Sequence, residues 1–216
     1  MNENAALERR LTTPTDRRFD ALYAIYCESI AVREQKSKAE LSAMVCKPNY
    51  RFLLAQDRDT VAGFSISFVA AAESFCLLEY MAVDKSYRGH GVGSELFKAT
   101  ISIVRGEHRD TPVLLEVDSD RESTADQELR RRRQNFYRRL GCRRIADCAY
   151  ILPLPGEGPA PEMDLFIYVP EPAPIIRRAK LERWLEVMYR DVYGCSADDP
   201  RIAIMLDGVP DPIQLL

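Results

Sequence analysis

Apolar residues change their spacing repeatedly along this chain, and each change marks an element. Residues 7–12 read as a short first strand. Thr13-Pro14-Thr15 then signals a helix start, and Phe19, Leu22, Tyr23, Tyr26 and Ile30 follow at the three-and-four spacing of one helical face. A shorter helix fits residues 38–46, closed by Pro48-Asn49. Residues 51–55 and 60–69 read as a hairpin turned at Asp57-Arg58-Asp59, with 75–83 as a third strand. A glycine-rich loop leads into a helical pattern of Leu96, Phe97, Ile101 and Val104, ended by His108. Residues 112–117 form an apolar strand, and a polar stretch, 118–127, follows. Leu129, Phe136 and Leu140 mark a helix that stops at Gly141. Residues 144–152 and 163–169 are two more strands, joined by a Pro/Gly-rich loop. Beyond the stiff break of Pro170, Pro172 and Pro174, Leu181, Trp184, Leu185, Met188 and Val192 predict one further amphipathic helix. The last twenty or so residues show no readable pattern.

This alternation predicts an α/β (α+β) fold. The domain expected is 1–169, with 170–216 as a C-terminal helical extension packed on it. That extra helix offers two sharper alternatives, a homodimer contact or a wall of a substrate site. The apolar stretch 61–83 is long enough to mimic a membrane span, but Glu73 and Glu79 interrupt it, and Ser65 and Ser67 alternate with apolar neighbours, so strands explain it better.

Composition narrows the function classes. The 216 residues are 46% hydrophobic, enough for a sizeable core, and 30 basic against 33 acidic side chains give a formal charge of -3. A general nucleic-acid binder usually shows a basic excess, so that class is disfavoured. Cys27, Cys46, Cys76, Cys142, Cys148 and Cys195 form no C-x-x-C pair, and His90 and His108 are the two histidines, so no metal site is expected. Most of the cysteines sit in apolar runs, which predicts reduced core residues in a cytoplasmic protein. Met1-Asn2-Glu3-Asn4 does not open a signal peptide, and no membrane association is expected.

The chemistry centres on Arg88-Gly89-His90-Gly91-Val92-Gly93. A strand, a glycine-rich loop and a helix make a phosphate-binding arrangement, because the helix N-terminus offers unpaired N–H groups and partial positive charge. Glycines let an anion approach the backbone, and Arg88 adds a bidentate cation. Two common phosphate loops fit badly. The G-x-x-x-x-G-K-[ST] loop needs a Lys where Ser94 stands, and the glycines alternate instead of spelling G-x-G-x-x-G.

The motif resembles the [RQ]-x-x-G-x-[GA] pyrophosphate signature of the GNAT superfamily of N-acetyltransferases. The flanking strand ending at Val83, Asp84, Tyr87 and Leu96-Phe97 match that family's context, and Asn135-Phe136-Tyr137-Arg138-Arg139-Leu140-Gly141 resembles its second feature, Phe-Tyr-x-x-x-Gly. The order of elements agrees over roughly residues 7–169. The resemblance implies a mixed, mostly antiparallel central sheet split between its fourth and fifth strands and flanked by helices. It implies acetyl-CoA as co-substrate. The backbone of Gly89, His90, Gly91, Val92 and Gly93, with Arg88 and Ser94, would hold the pyrophosphate. Met81, Ala82 and Val83, at the end of the strand, would face the pantetheine arm.

Acyl transfer to an amine needs a base for the ammonium proton, donors for the developing oxyanion and a proton for the departing thiolate. Glu79 is the first choice for the base, against the alternative of an ordinary polar residue on a half-buried strand. Glu116 and Asp118 are its backups. The resemblance gives the oxyanion contact to N–H groups near Met81 and the thiolate proton to Tyr137, which otherwise reads as an aromatic core residue. Relatives commonly carry Asn and a small residue seven and four positions before this Tyr. Arg130 and Arg133 stand there, within Arg130-Arg131-Arg132-Arg133. Either they point toward a phosphate or the helix starts later and the run is solvated, the solvated reading being the safer. His90 is given no catalytic role. The expected activity is N-acetylation of a small-molecule or amino-acid-like amine. The alternatives are a protein lysine or N-terminal acetyltransferase and a non-catalytic acetyl-CoA-binding module.

Overall fold

The computed structural model describes residues 9–121, 125–154, 161–196 and 198–216. In chain order these hold β1 (Arg9–Leu11), α1 (Arg18–Ser29), α2 (Lys38–Val45), β2 (Tyr50–Asp57), β3 (Thr60–Ala70), β4 (Phe75–Val83), α3 (Val92–Glu107) and β5 (Val113–Asp118). There follow α4 (Gln127–Arg139), β6 (Arg143–Ile151), β7 (Glu162–Tyr168), α5 (Arg178–Val187) and α6 (Pro200–Leu206). The strands form a seven-stranded mixed sheet in the order β1-β2-β3-β4-β5-β7-β6, mostly antiparallel, with β4 and β5 as its parallel pair. This is the mixed α/β architecture that the alternating pattern predicts. By compactness the chain divides into two units, and the division falls inside β4. One unit holds the chain up to Val69 with Leu78–Arg109, the other Ala70–Leu77 with Asp110–Leu216.

In the first unit, β2 and β3 pair around a bulge at Ala55/Gln56. Strand β3 is buried at every position after Thr60, so Ser65 and Ser67 lie inside with their apolar neighbours. A half-exposed strand would alternate; this one is covered on both faces. Helix α3 buries the stripe Val92, Leu96, Phe97, Thr100, Ile101 and Val104. Its middle is tied to β3 by a buried 2.7 Å hydrogen bond between the Ser65 and Thr100 hydroxyls. Its last turn carries Glu107, a carboxylate where the helix dipole disfavours one. Arg51 Nε at 2.7 Å and Arg10 Nη1 at 3.2 Å offset this and hold the Glu107 pKa below the usual carboxylate value. Helix α1 starts at Arg18, later than Thr13-Pro14-Thr15 suggests, because Asp16 takes the Arg18 N–H at 2.9 Å and closes a turn first.

In the second unit, β7 lies between β5 and β6, antiparallel to both. The tail adds a bridge to β6 at Ile145 and Leu215, with 2.9 Å hydrogen bonds exchanged between Arg144 and Leu216. Helix α5 buries Leu181, Trp184 and Leu185; the Trp184 indole N–H donates to the Glu73 carbonyl at 3.0 Å and its ring packs on Phe75. The single long helix expected here breaks at Met188 into a π-helical turn, Met188–Val192. The unreadable final segment contains α6, whose start has an ordinary signal: Asp199 caps it through the Arg201 N–H, with Pro200 in its first turn.

Other expectations are corrected. Leu129 does not mark the buried face of α4; it is 59% exposed, and the buried residue of that helix is Gln134. Its amide donates to the Asp118 carbonyl at 2.9 Å and to Asp164 at 2.8 Å, so a polar side chain does the anchoring. Three cysteines, Cys76, Cys142 and Cys148, are buried, but Cys27 and Cys46 are exposed and Cys195 lies between. Residues 7 and 8 of the first strand and 155–160 of the Pro/Gly-rich loop lie outside the described residues. Among the described residues no helix is long and apolar enough to cross a membrane.

One glycine fixes how closely β3 and β4 approach. A Cβ on Gly63 would lie 2.7 Å from the Ala82 carbonyl oxygen and 3.3 Å from Val83 Cα, both backbone atoms. Gly63→Ala is therefore expected to destabilise the fold by about 1–3 kcal/mol, the range for a forced backbone shift, measured as a lower midpoint in urea unfolding.

Candidate active site

Strand β4 ends at Val83, and the chain turns sharply. The Asp84 N–H donates to the Ala62 carbonyl at 2.9 Å, and its carboxylate accepts the Ser86 N–H at 2.9 Å. After the short helical turn Lys85–Tyr87, Gly89 and Gly91 take φ of +81° and +83°, where a side chain would strain the backbone. Gly91 caps α3: its carbonyl accepts the Ser94 and Glu95 N–H groups at 3.0 and 3.1 Å. Val92 and Gly93 precede those bonds, so their N–H groups have no helical carbonyl to donate to. Arg88, Gly89, His90 and Gly91 are exposed, and Gly93 and Ser94 partly so. An anion reaching this turn meets backbone donors and the positive end of a 16-residue helix.

Arg88 is held in place. Its Nε donates to the Val83 carbonyl at 3.0 Å and its Nη2 stands 3.5 Å from the Ser29 hydroxyl. Val92 and Leu96 pack with Leu53, Ala55 and Ala62, and Met81, Val83 and Tyr87 lie against that cluster. Met81 and Val83 thus fix the loop by their side chains. Along β4 itself the first four residues are buried, while Glu79, Tyr80, Met81 and Val83 are partly exposed.

Glu79 is partly exposed only through its backbone; its side chain is 2% exposed. Lys36 Nζ lies 3.1 Å from Glu79 Oε1. Burial raises the Glu79 pKa above 4.5, and the Lys36 charge opposes the rise. Tyr80 donates to the Glu34 carbonyl at 3.2 Å, and its ring meets Tyr26 edge-on at 5.0 Å. Lys36 is the residue that sequence reasoning missed. The one local signal near it is the capping box Ser37-Lys38-Ala39-Glu40, which starts α2 immediately after it.

The remaining candidates belong to the other unit. Tyr137 stands in the last turns of α4, and burial pushes its phenol up to about 12, against a smaller opposing effect of Arg133. Glu116 accepts from both the Tyr150 and the Tyr193 hydroxyls, the latter at 2.5 Å. Asp118 pairs with Arg133. The arginine run lies inside α4, since the helix begins at Gln127, and acidic neighbours pair it. Arg130 bonds Asp126 at 3.0 Å, while Arg131 and Arg132 reach Glu128 at 2.9 and 3.1 Å.

The Glu79 environment has a consequence for stability. A folded pKa raised above 4.5 means that the folded chain still holds a proton that the unfolded chain has released. This carboxyl therefore lowers stability as pH rises through the window that starts at 4.5 and ends at its folded pKa. Glu79→Gln does not titrate, so its melting temperature relative to wild type is expected to improve as pH is raised through that window, followed by calorimetry.

A family model described as Acetyltransferase (GNAT) domain matches residues 48–143, a stretch that holds Glu79, the loop and Tyr137. A Bacillus subtilis (strain 168) protein named as an acetyltransferase, YjbC, is 29% identical over 117 residues, 54% of this chain and 54% of its own. The match thus spans about half the length of that relative. Among solved structures, a GNAT-family acetyltransferase of Bacteroides thetaiotaomicron has a TM-score of 0.69 at 21% identity, covering 88% of this chain and 99% of its own. An aminoglycoside 6'-N-acetyltransferase complexed with coenzyme A has a TM-score of 0.61 at 17% identity, covering 76% of this chain and 96% of its own. At such identities these structures speak for the fold. Residues 48–143, which include the glycine loop, thus match the GNAT acetyltransferase domain, and the solved structures share the fold around them.

Proposed function

We propose that the chain is an N-acetyltransferase that takes acetyl-CoA and acetylates the amine of a small or amino-acid-like molecule. The observation that carries this reading is the N-terminus of α3, reached through the exposed loop from Arg88 to Gly91 with its two left-handed glycines. That turn suits a pyrophosphate: its charge is met by backbone donors, by the helix dipole and by a guanidinium. When bound, acetyl-CoA supplies an acyl carbon already activated as a thioester.

The chain's own residues supply the rest. Gly89, His90, Gly91, Val92 and Gly93 offer backbone donors, Arg88 and Ser94 flank them, and the end of β4, with Met81 and Val83 partly exposed and Ala82 buried, precedes them in sequence. Glu79 takes the proton of the acceptor amine, which has a pKa of about 10 in water. A carboxylate raised by burial is a stronger base than one in water, which suits this task. Glu116 is the weaker candidate because two tyrosine hydroxyls already occupy its oxygens. Tyr137 stays protonated up to about 12. Full transfer from it to a thiolate of pKa about 8.5 is uphill by roughly 3 units, so its part is a hydrogen bond to the departing sulfur. The enclosure of Glu79 by Lys36 and tyrosines supports a small acceptor over an extended peptide.

Isothermal titration with coenzyme A and an acetyl-transfer assay over an amine panel test this. Gly91→Ala, forced into a left-handed conformation at a cost of about 1–2 kcal/mol, is expected to bind coenzyme A roughly tenfold more weakly. Arg88→Ala is expected to lose about tenfold to a hundredfold, the loss of a charged hydrogen bond. Glu79→Gln should bind coenzyme A normally while kcat falls by about a hundredfold or more. Tyr137→Phe should lower kcat by less than about tenfold, since a thiolate is already a fair leaving group. A wild-type chain that binds no coenzyme A overturns the reading.

A further inference from the structure

We infer that Lys36 is a positioning residue: its ammonium, fixed beside Glu79, keeps that buried carboxylate charged and so able to take the proton of the acceptor amine. This rests on Glu79 being the base. It adds a residue that neither the glycine-rich motif nor the second motif contains.

The pair differs in kind from the surface ion pairs of this protein. In Lys98–Glu95, a pair within α3, both side chains are 63% exposed, and water screens the attraction. In Lys36–Glu79 the side chains are 20% and 2% exposed at an Nζ–Oε1 distance of 3.1 Å. A carboxylate so enclosed takes up a proton unless a charge or hydrogen-bond donors hold it ionised. Among the described residues, groups face it from four places. Lys36 approaches from the segment before α2, Tyr50 from β2, Tyr80 from β4 itself and Tyr26 from α1. The three tyrosines are neutral; Lys36 is the cation of the set.

The backbone around Lys36 is tied down on every side, as a fixed counter-charge requires. The Lys36 N–H donates to the Tyr26 hydroxyl at 2.7 Å. Just before it, the Gln35 amide donates to the Ile30 carbonyl at 2.7 Å and to the Cys27 carbonyl at 3.0 Å. The Glu34 carbonyl accepts from Tyr80, a neighbour of Glu79 in β4. Just after it, Ser37 and Glu40 form a reciprocal cap. Lysine is ordinarily a mobile surface residue with high rotamer entropy. Here its root is immobilised and its stem is covered, and its ammonium stands 6.0 Å from the Tyr80 ring centre. A salt bridge serving only to join α1 to α2 needs no buried partner on the strand that leads to the loop.

The test is a titration of the Glu79 carboxyl by NMR, in protein labelled at glutamate Cδ, with the resonance assigned by its loss in Glu79→Gln. Lys36→Met and Lys36→Gln are expected to raise the midpoint by about one pH unit or more, the size of a removed close counter-charge; Lys36→Arg should keep it near wild type. The acid limb of kcat/KM should move by the same amount in each variant, with the alkaline plateau retained and coenzyme A affinity unchanged. The inference is overturned if both neutral variants fold, by their amide spectra, and leave the midpoint where it was. It is equally overturned if they lose activity in parallel at every pH, the mark of a merely structural role. A midpoint that moves while the acid limb stays still sinks Glu79 as the base, a separate failure from that of Lys36's hold on the carboxylate.

Discussion

Val92 and Leu96, one turn apart at the start of α3, are pressed onto Leu53, Ala55 and Ala62, with Met81, Val83 and Tyr87 closing in from the strand and turn that precede the helix. This apolar contact is what the rest of the first unit is arranged around. A helix N-terminus can serve an anion only if its donors are held still, with their backs to the core and their N–H groups outward. The cluster supplies the backing, Gly89 and Gly91 supply the turn, and the Ser65–Thr100 bond and the Glu107 pairs keep the middle and far end of the helix from sliding. Gly63 belongs to the same constraint, because only a residue without Cβ lets Ala82 and Val83 come close enough to join the packing.

The enclosed carboxylates show a second theme, that each meets a different set of neighbours. Asp164 lies 3.0 Å from Arg121 and 3.6 Å from Arg144 and takes the Gln134 amide, so two cations flank it. Glu116 is matched to two phenols, whose protons it accepts; the charge of Glu116 helps push the Tyr150 pKa well above its usual value. Glu79 has Lys36 beside it, and burial still raises its pKa. At Glu79 burial and the neighbouring ammonium act in opposite directions, an arrangement suited to a proton acceptor.

The polar inner face of α4 follows from the same rule. Leu129 turned out exposed and Gln134 buried because the helix packs where a carbonyl and a carboxylate need donors, so hydrogen-bond satisfaction outweighed the burial of one leucine. The arginine run is likewise explained by its neighbours. Acidic residues within a turn, and Asp118 across the unit, meet all four guanidinium groups.

How much of this was legible in advance depended on range. Local patterns were readable because their causes are local: apolar runs bounded by turn residues, and period-3.6 spacing, fixed β2, β3, β4 and α3 to within a residue or a few, and the alternating glycines marked the loop before Val92. The Asp199-Pro200 start of α6 was equally local, though its short apolar stripe gave no warning. Glu79 stood out as a carboxylate on an otherwise apolar strand, and its place in the sequence sufficed to nominate it. Its partner did not stand out. No periodicity connects Lys36 to Glu79; they meet because α1, the tied segment after it and β4 fold onto one another, and an exposed-looking lysine is thereby turned inward. By itself the sequence determined most of the elements and the glycine turn, which rest on spacing along the backbone, and with the family resemblance it nominated a candidate base. Only the tertiary structure decided which charges are removed from water and which opposite charge is left beside them, because desolvation and Coulomb attraction depend on distance through space and not on distance along the chain.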